Sequence, residues 1–395
     1  MEFKIKDRYL HLPVKNGAEK ITIQFFQEQK LVREFEIELA VSEKEDWWAF
    51  YDVSQFENEI IEVKIKRDIT EDEGVEDEKK LISKLPGLID SGDNIKNTDN
   101  LYQERLRPQF HFTSRRGWLN DPNGMVYHQG EYHLFYQHNP FGIKHGNMHW
   151  GHAVSKDLIH WNELPIALYQ NSLKDQMFSG SGLVDKKDTA DFKQGKNPAM
   201  AVAFTSTDRG ECIAYSNDKG RILKEYKNNP VIKHKGRDPK IFWYEPEAKW
   251  VMVVYDEKGG NRSYDFYESQ DLKSWDYMSS IEGFFECPEF FRLPVPGKKD
   301  KYKWILYGAI WEQRKNGEGY PTTSNYMIGS FDGEKFIPET EKIKGHLGPD
   351  FYAAQLFNNT PADRKIMIAW MKQSEFPQMP FRQCMTVPLT LSLKH

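Results

Sequence analysis

The chain has 395 residues, 39% hydrophobic and 29% charged, enough for two or three domains with substantial cores. A net charge of −5 gives no basis for a polyanionic partner, so nucleic acid is excluded from the expected ligands. Three widely spaced cysteines, Cys212, Cys287 and Cys384, make neither a disulfide scaffold nor a zinc site, and no 18-residue apolar run is present to span a membrane.

Residues 3–66 contain short runs that alternate apolar with polar side chains, among them Ile21-Thr22-Ile23-Gln24-Phe25 and Ile61-Glu62-Val63-Lys64-Ile65. A period of two gives one buried and one wet face, which predicts a small N-terminal β-sandwich over 1–67. Trp47-Trp48 with Phe50 and Tyr51 reads as core packing in preference to a sugar-stacking patch. From 68 to 105 the composition turns acidic and polar, with the run Glu71–Glu78. This stretch is expected to be a linker with a short helix near 79–88.

Beyond it a repeat emerges. Five apolar strand-like runs recur at Tyr132–Tyr136, Ala201–Thr205, Trp250–Tyr255, Lys303–Tyr307 and Lys365–Trp370. Four are followed by a Ser-x-Asp turn, at Ser155, Ser216, Ser269 and Ser330, and each is preceded by another strand-like segment. Four-stranded units repeated at roughly 50–65 residues mark a β-propeller. The fold class expected is therefore all-β, with a five-bladed propeller over 106–395.

Three strings stand where innermost strands begin: Asp121-Pro122-Asn123-Gly124, Arg237-Asp238-Pro239 and Glu286-Cys287-Pro288. Each alone is a turn signal. At equivalent places in a repeat they bring Asp121, Asp238 and Glu286 to one end of the axis, with Asp350 as a fourth candidate. Apolar flanks at Phe284 and Phe285 favour a neutral Glu286, and Arg237 favours an ionised Asp238. Two carboxyls in different protonation states are what glycoside hydrolysis requires.

The region from Arg107 to Leu393 resembles glycoside hydrolase family 32, the β-fructosidases. The matching strings are Trp118–Gly124, Phe135-Tyr136-Gln137, Trp150–Ser155, Phe178-Ser179-Gly180-Ser181, Arg237-Asp238-Pro239, Glu286-Cys287-Pro288 and Asp350-Phe351-Tyr352-Ala353. The resemblance implies a five-bladed propeller and a retaining mechanism. Asp121 is implied as nucleophile, Glu286 as acid and base, and Asp238 as transition-state stabiliser. Asn120, Gln137, Phe178, Ser179, Arg237 and Trp370 are implied to shape the fructose pocket. It implies no cofactor and no metal, and a fructan or fructosyl oligosaccharide as partner. His149 and His152 read as blade-packing or rim residues.

Departures from the family pattern are His145, where many members have Trp, and Phe381-Arg382-Gln383 in place of Trp-Arg-Gly. The sequence ends at His395, where the family's C-terminal β-sandwich is expected to start, so a piece cut before that domain is the expectation, and the N-terminal domain resembles extra modules of some Bacteroidetes fructan hydrolases. That analogy favours fructans over sucrose and an extracytoplasmic location with a leader absent from this sequence, while the residues themselves leave compartment and oligomeric state open. Two other readings are an arabinan-type five-bladed glycosidase and a non-catalytic carbohydrate-binding protein.

Overall fold

The computed structural model describes residues 2–66, 83–313, 319–321 and 324–394. Alternating burial builds the N-terminal unit. Strands β1 (Glu2–Lys4), β2 (Tyr9–Val14), β3 (Lys20–Gln27), β4 (Lys30–Glu38), β5 (Trp47–Asp52), β6 (Ile60–Lys66) and β7 (Asp90–Gly92) form two antiparallel sheets, in the orders β1-β6-β3-β4 and β5-β2-β7. Ile21, Ile23 and Phe25 of β3 and Ile61, Val63 and Ile65 of β6 turn inward to meet Leu10, Leu12 and Val14 of β2. Of the expected aromatic core cluster, Trp47 and Tyr51 lie in this core, while Trp48 and Phe50 alternate outward and are half-buried.

The linker expectation needs a correction. Asp90–Gly92 pairs with Tyr9–His11 and gives the second sheet its third strand, so 68–105 is not connector throughout. The free edge of β2 satisfies its backbone groups with a segment whose side chains carry no strand pattern. Residues 83–88 are helical; the start of that expected helix and the acidic run 71–78 lie outside the described residues.

Five antiparallel meanders follow. The first comprises β8 (Gly117–His128), β9 (Glu131–Asn139), β10 (His149–Ser155) and β11 (Trp161–Leu168). The second runs through β12 (Met177–Asp185), β13 (Ala199–Ser206), β14 (Gly210–Ser216) and β15 (Lys224–Glu225). The third contains β16 (Arg237–Tyr244), β17 (Lys249–Lys258), β18 (Asn261–Ser269) and β19 (Asp276–Glu282). The fourth has β20 (Phe285–Pro294) and β21 (Tyr302–Ala309), then a separate hairpin of β22 (Trp311–Gln313) and β23 (Gly319–Pro321), then β24 (Asn325–Phe331), β25 (Phe336–Pro338) and β26 (Ile343–Lys344). The fifth has β27 (Tyr352–Leu356), β28 (Ile366–Met371), β29 (Phe381–Arg382), β30 (Cys384–Met385) and β31 (Leu389–Thr390), with β29 crossing to pair with β8.

Strands β8, β12, β16, β20 and β27 each touch the next, and β27 returns to β8, so five blades close a ring. Closure is hydrogen-bonded at both ends. Tyr127 N donates to Asn358 O (2.9 Å) and Asn358 N to Met125 O (2.9 Å), while Gly117 N donates to Pro380 O (2.7 Å) beside the parallel β29. The inner strands approach so closely that a Cβ on Gly182 would meet Gly124 O at 2.1 Å. The middle of the axis is filled by a buried pair, Lys240 Nζ on Glu289 Oε1 at 2.8 Å. Among the described residues, no helix is long and apolar enough to cross a membrane.

The repeated Ser-x-Asp strings are the turns between the third and fourth strands. The hydroxyl of Ser155 accepts from Leu158 N (2.8 Å), and Asp157 Oδ1 accepts from Ile159 N and His160 N (2.9 and 2.8 Å). Asp271 repeats this with Lys273 N and Ser274 N (2.9 and 2.8 Å). Leu158 and Leu272 take positive φ at the same place (69° and 62°). The side chains thus replace backbone partners that a tight turn cannot supply.

Removing this cap in Asp271→Ala should cost about 1 kcal/mol in urea unfolding at pH 7. Burial raises the Asp271 carboxyl, but the N–H groups of Ser274 and Lys273 outweigh it and hold the pKa below its ordinary value. The contribution should therefore be full at neutral pH and disappear as pH falls through the carboxylate range.

Candidate active site

Every inner strand breaks its ladder at the same end of the ring. Register shifts fall at Leu119/Pro122 in β8, Phe178/Gly180 in β12, Arg237/Lys240 in β16, Phe285/Glu289 in β20 and Tyr352/Gln355 in β27. A bulge turns a side chain off the alternating pattern, and here the turned side chains converge on the axis. Pro122, Pro239 and Pro288 sit in three of the breaks, where a missing N–H costs no ladder bond.

The breaks also correct the proposed equivalence of the acids. Asp238, Cys287 and Ala353 share a left-handed φ (66°, 57° and 49°), so they are the equivalent positions. Arg237, Glu286 and Tyr352 each precede one of them. Glu286 therefore corresponds to Arg237, one residue earlier than Asp238. These three form a hydrogen-bonded row: Arg237 Nη2 and Nε donate to Glu286 Oε2 (2.9 and 3.1 Å), and Tyr352 OH donates to Glu286 Oε1.

Beneath that row, Asp121 and Asp238 flank the thiol of Cys287, whose Sγ is 3.6 Å from Asp121 Oδ2 and 3.5 Å from Asp238 Oδ2. Burial and the nearby acids Asp238 and Asp121 push that thiol well up, so it is a neutral donor. Cys287 N also donates to Asp238 Oδ2 (3.0 Å), and Asp238 N donates to Thr205 Oγ1 (3.0 Å). Asp121 accepts from Ser179 Oγ (2.7 Å) and Asn120 Nδ2 (3.2 Å). Burial first, and the Glu286 charge second, push Asp121 up to about 6.

The expectation of an ionised Asp238 is overturned, and the apolar surroundings expected of Glu286 are not found. Burial pushes the Asp238 carboxyl up, and Glu286 and Asp121 reinforce this against the pull of Arg237. The guanidinium is turned to Glu286, leaving 3.9 Å to Asp238. Glu286 in turn lies among polar donors, because Phe285 points into the core and lies under Arg237 at 5.1 Å. Adjacent residues of a bulged strand face different ways, so chain flanks do not report surroundings.

The remaining expected residues fall into two groups. Asn120, Ser179 and Arg237 contact the acids directly, and Phe178 adjoins Ser179 in β12. Gln137 is 2% exposed beneath them. Its Nε2 donates to Met177 O (2.8 Å) and, with the Asn123 amide turned to suit its neighbours, to Asn123 (2.8 Å). Trp370 stands opposite Tyr352 in the sheet, edge-on to Trp118 and Tyr352, with Nε1 donating to Gln383 Oε1 (3.2 Å). Gln383 has φ 72°, which accounts for a glycine in the usual family string.

Asp350 is not brought to the acids. Its Oδ1 accepts from Gln373 N at 2.7 Å in a loop, and Tyr352, two residues on, reaches Glu286 in its place. Sequence reasoning missed Tyr352, Cys287 and Thr205, although the first two sat inside quoted strings. Both expected histidines are buried: His152 stacks on His133 and Phe135 within its blade, whereas His149 meets Tyr51, Phe141 and Tyr169 at the seam with the sandwich. No cluster of His, Cys, Asp and Glu suited to a metal occurs among the described residues.

Residues 111–395 match the pattern of the glycosyl hydrolases family 32 N-terminal domain. The chain is 42% identical over 316 residues to the levanase of Bacillus subtilis, covering 74% of this chain and 46% of that protein. It is 35% identical over 347 residues to the extracellular exo-inulinase of Aspergillus niger, covering 74% and 63%. The matched stretch is thus less than two thirds of either relative's length. A solved β-fructofuranosidase from Schwanniomyces occidentalis, complexed with fructosyl-erythritol, aligns with a TM-score of 0.67 at 31% identity, over 76% of this chain and 61% of that one.

Crowding these acids costs stability. A carboxyl raised from 3.8 to about 6 is easier to protonate folded than unfolded, so its contribution is full at low pH and lost as pH rises through about 6. Asp121→Asn should then stabilise the protein at pH 7.5 by about 1–3 kcal/mol, the acid being partly open to solvent. Calorimetry should show the gain in Tm shrinking to nothing by about pH 3.5.

Proposed function

The chain belongs to glycosyl hydrolase family 32, and from that premise we propose that it hydrolyses β-fructofuranosidic bonds with retention, releasing fructose from levan or inulin chains and from sucrose. The observation that carries this reading is the meeting of three carboxyls from three blades around one thiol and one guanidinium.

In this reading Asp121 attacks the anomeric carbon of the fructosyl unit while Glu286 gives its proton to the departing oxygen. Glu286 then takes a proton from water, which cleaves the fructosyl–Asp121 ester and restores both groups. Two features support the division of labour. Ser179 and Asn120 donate to Asp121 and hold one oxygen pair in place, and a pKa of about 6 leaves it ionised at neutral pH. Arg237 and Tyr352 donate to Glu286, where they stabilise the carboxylate left after proton transfer.

Asp238 is 4% exposed and fixed by Cys287 N, so it is placed to hydrogen-bond fructose hydroxyls without reorganising as charge develops. Retention calls for about 5–5.5 Å between the two principal carboxyl groups. Levan and inulin enter as substrates because relatives carry those names, and an extracellular relative supports action outside the cytoplasm. The division into an N-terminal β unit and a catalytic propeller over 106–395 is part of the same reading.

Product analysis on sucrose, levan and inulin should show fructose. Glu286→Gln should keep its fold and lose at least about a hundredfold in turnover; near-normal turnover would remove Glu286 from its role. For the wild type, kcat/KM should rise through an acid limb near 6 as Asp121 ionises. A flat profile between pH 5 and about 7 would exclude Asp121 as the group that must be ionised.

A further inference from the structure

The N-terminal sandwich and the rim of the acidic site share one core. Phe141, on the connection from β9 to β10, stacks on Phe35 of β4 with centroids 3.8 Å apart and planes at 13°. It also packs against Tyr51 of β5, and Tyr51 meets Tyr169 at the start of the connection from β11 to β12. Two propeller connections are thus gripped by one aromatic cluster.

Backbone hydrogen bonds make the grip directional. Strand β4 is the edge of its sheet and needs partners. Asn147 supplies them for Glu36: Glu36 N donates to Asn147 Oδ1 and Asn147 Nδ2 to Glu36 O, both at 2.8 Å. Glu34 does the same for the second connection. Its carbonyl accepts from Gln170 Nε2 (2.6 Å) and its carboxylate from Leu173 N (2.9 Å).

Both connections run directly into the site. His145, two residues before Asn147, is exposed at the rim within electrostatic reach of Glu286. The stretch 170–176 leads into Met177, Phe178 and Ser179, the last bonded to Asp121. The connections are also stitched together by Met177 N on Met148 O (3.0 Å) and Met148 N on Gln176 Oε1 (3.1 Å). Loops of this kind set substrate choice when a rigid scaffold fixes them.

We propose that the N-terminal sandwich is a working part of the active site, holding two stitched rim loops, one of which carries His145 to the Glu286 side where the leaving group departs, and so setting which leaving groups are accepted. It rests on the fructosidase reading, in which Glu286 protonates that group. Fructose in its own pocket is bound by the acids and their partners. A glucose or a fructan chain beyond the scissile bond must fit against the rim.

The test uses full-length Glu34→Ala, Glu34→Gln and Phe35→Leu, all on β4 and away from the reacting bonds. Glu34→Ala and Phe35→Leu should shift the ratio of kcat/KM for an inulin or levan trisaccharide to that for sucrose by about fivefold or more. Glu34→Gln, which keeps an oxygen for Leu173 N, should restore it. The inhibition constant of free fructose should stay within about twofold, because that ligand does not reach the rim. Hydrogen exchange should quicken in 140–148 and 170–176 in the first two variants, with the inner strands unchanged.

Equal losses on both substrates together with weakened fructose inhibition would make the seam merely structural and overturn the proposal. Unchanged ratios would overturn it too, as would unchanged exchange in the two loops. Failure of the wild type to cleave any fructoside would instead sink the functional reading, and the exchange data would still decide whether the sandwich holds the loops.

Discussion

The structure turns on the broken ladder at one end of each inner strand. A regular strand would point alternate side chains into neighbouring blades, and a five-fold ring of regular strands would offer no chemistry at its mouth. The shifts at Leu119/Pro122, Arg237/Lys240 and Phe285/Glu289 turn Asp121, Asp238 and Glu286 onto the axis instead. Left-handed backbone at Asp238 and Cys287 is the strain that this geometry stores. The strain is over-determined by neighbours: Thr205 accepts from Asp238 N, and Cys287 N is fixed by Asp238 itself. Ring closure through Asn358 and β29 keeps the strands from relaxing apart.

Closure also explains why the acids are held in a strained electrostatic state. Asp121 and Asp238 are driven upward mainly by loss of water, and the neighbouring carboxyls add to it. Three partners moderate the cost without removing it: the Cys287 thiol, the Ser179 hydroxyl and the Arg237 guanidinium. Deeper in the axis an ion pair, Lys240 and Glu289, is fully buried, with Glu289 Oε1 also accepting from Leu356 N and Oε2 left without a hydrogen-bond partner. The two levels of the channel differ in kind. One is charge-balanced and closed, and the other has more carboxyls than cations and opens to solvent.

The blade count was legible from five recurring strand runs, four of them marked by a Ser-x-Asp turn that is a local device: Ser155, Ser216 and Ser269 cap their own next residues, so one string reports one structure. The three acids were legible from the Pro-bearing strings that mark the bulges. Their neighbours were not. The apolar flanks of Glu286 and the adjacency of Arg237 to Asp238 suggested surroundings that the bulges reverse, since consecutive residues there face different partners. Asp350 carries the carboxylate in its string but is held in a loop by Gln373 N, whereas the phenol of Tyr352, two residues on, reaches Glu286. The strand at Asp90–Gly92 was invisible because only backbone pairing creates it. The shared core of Phe35 and Phe141 lies 106 positions apart in numbering and has no local trace.

The proposed reaction depends above all on Asp121 carrying the fructosyl group. The direct measurement is peptide mapping by mass spectrometry of the Glu286→Gln protein, acid-quenched during turnover of a fructosyl fluoride, whose leaving group needs no proton. With water activation removed, the ester should accumulate, and one fructosyl unit should be found on the peptide containing Asp121. A label on the Asp238 peptide, or fructose released with no labelled peptide at any time, would contradict it.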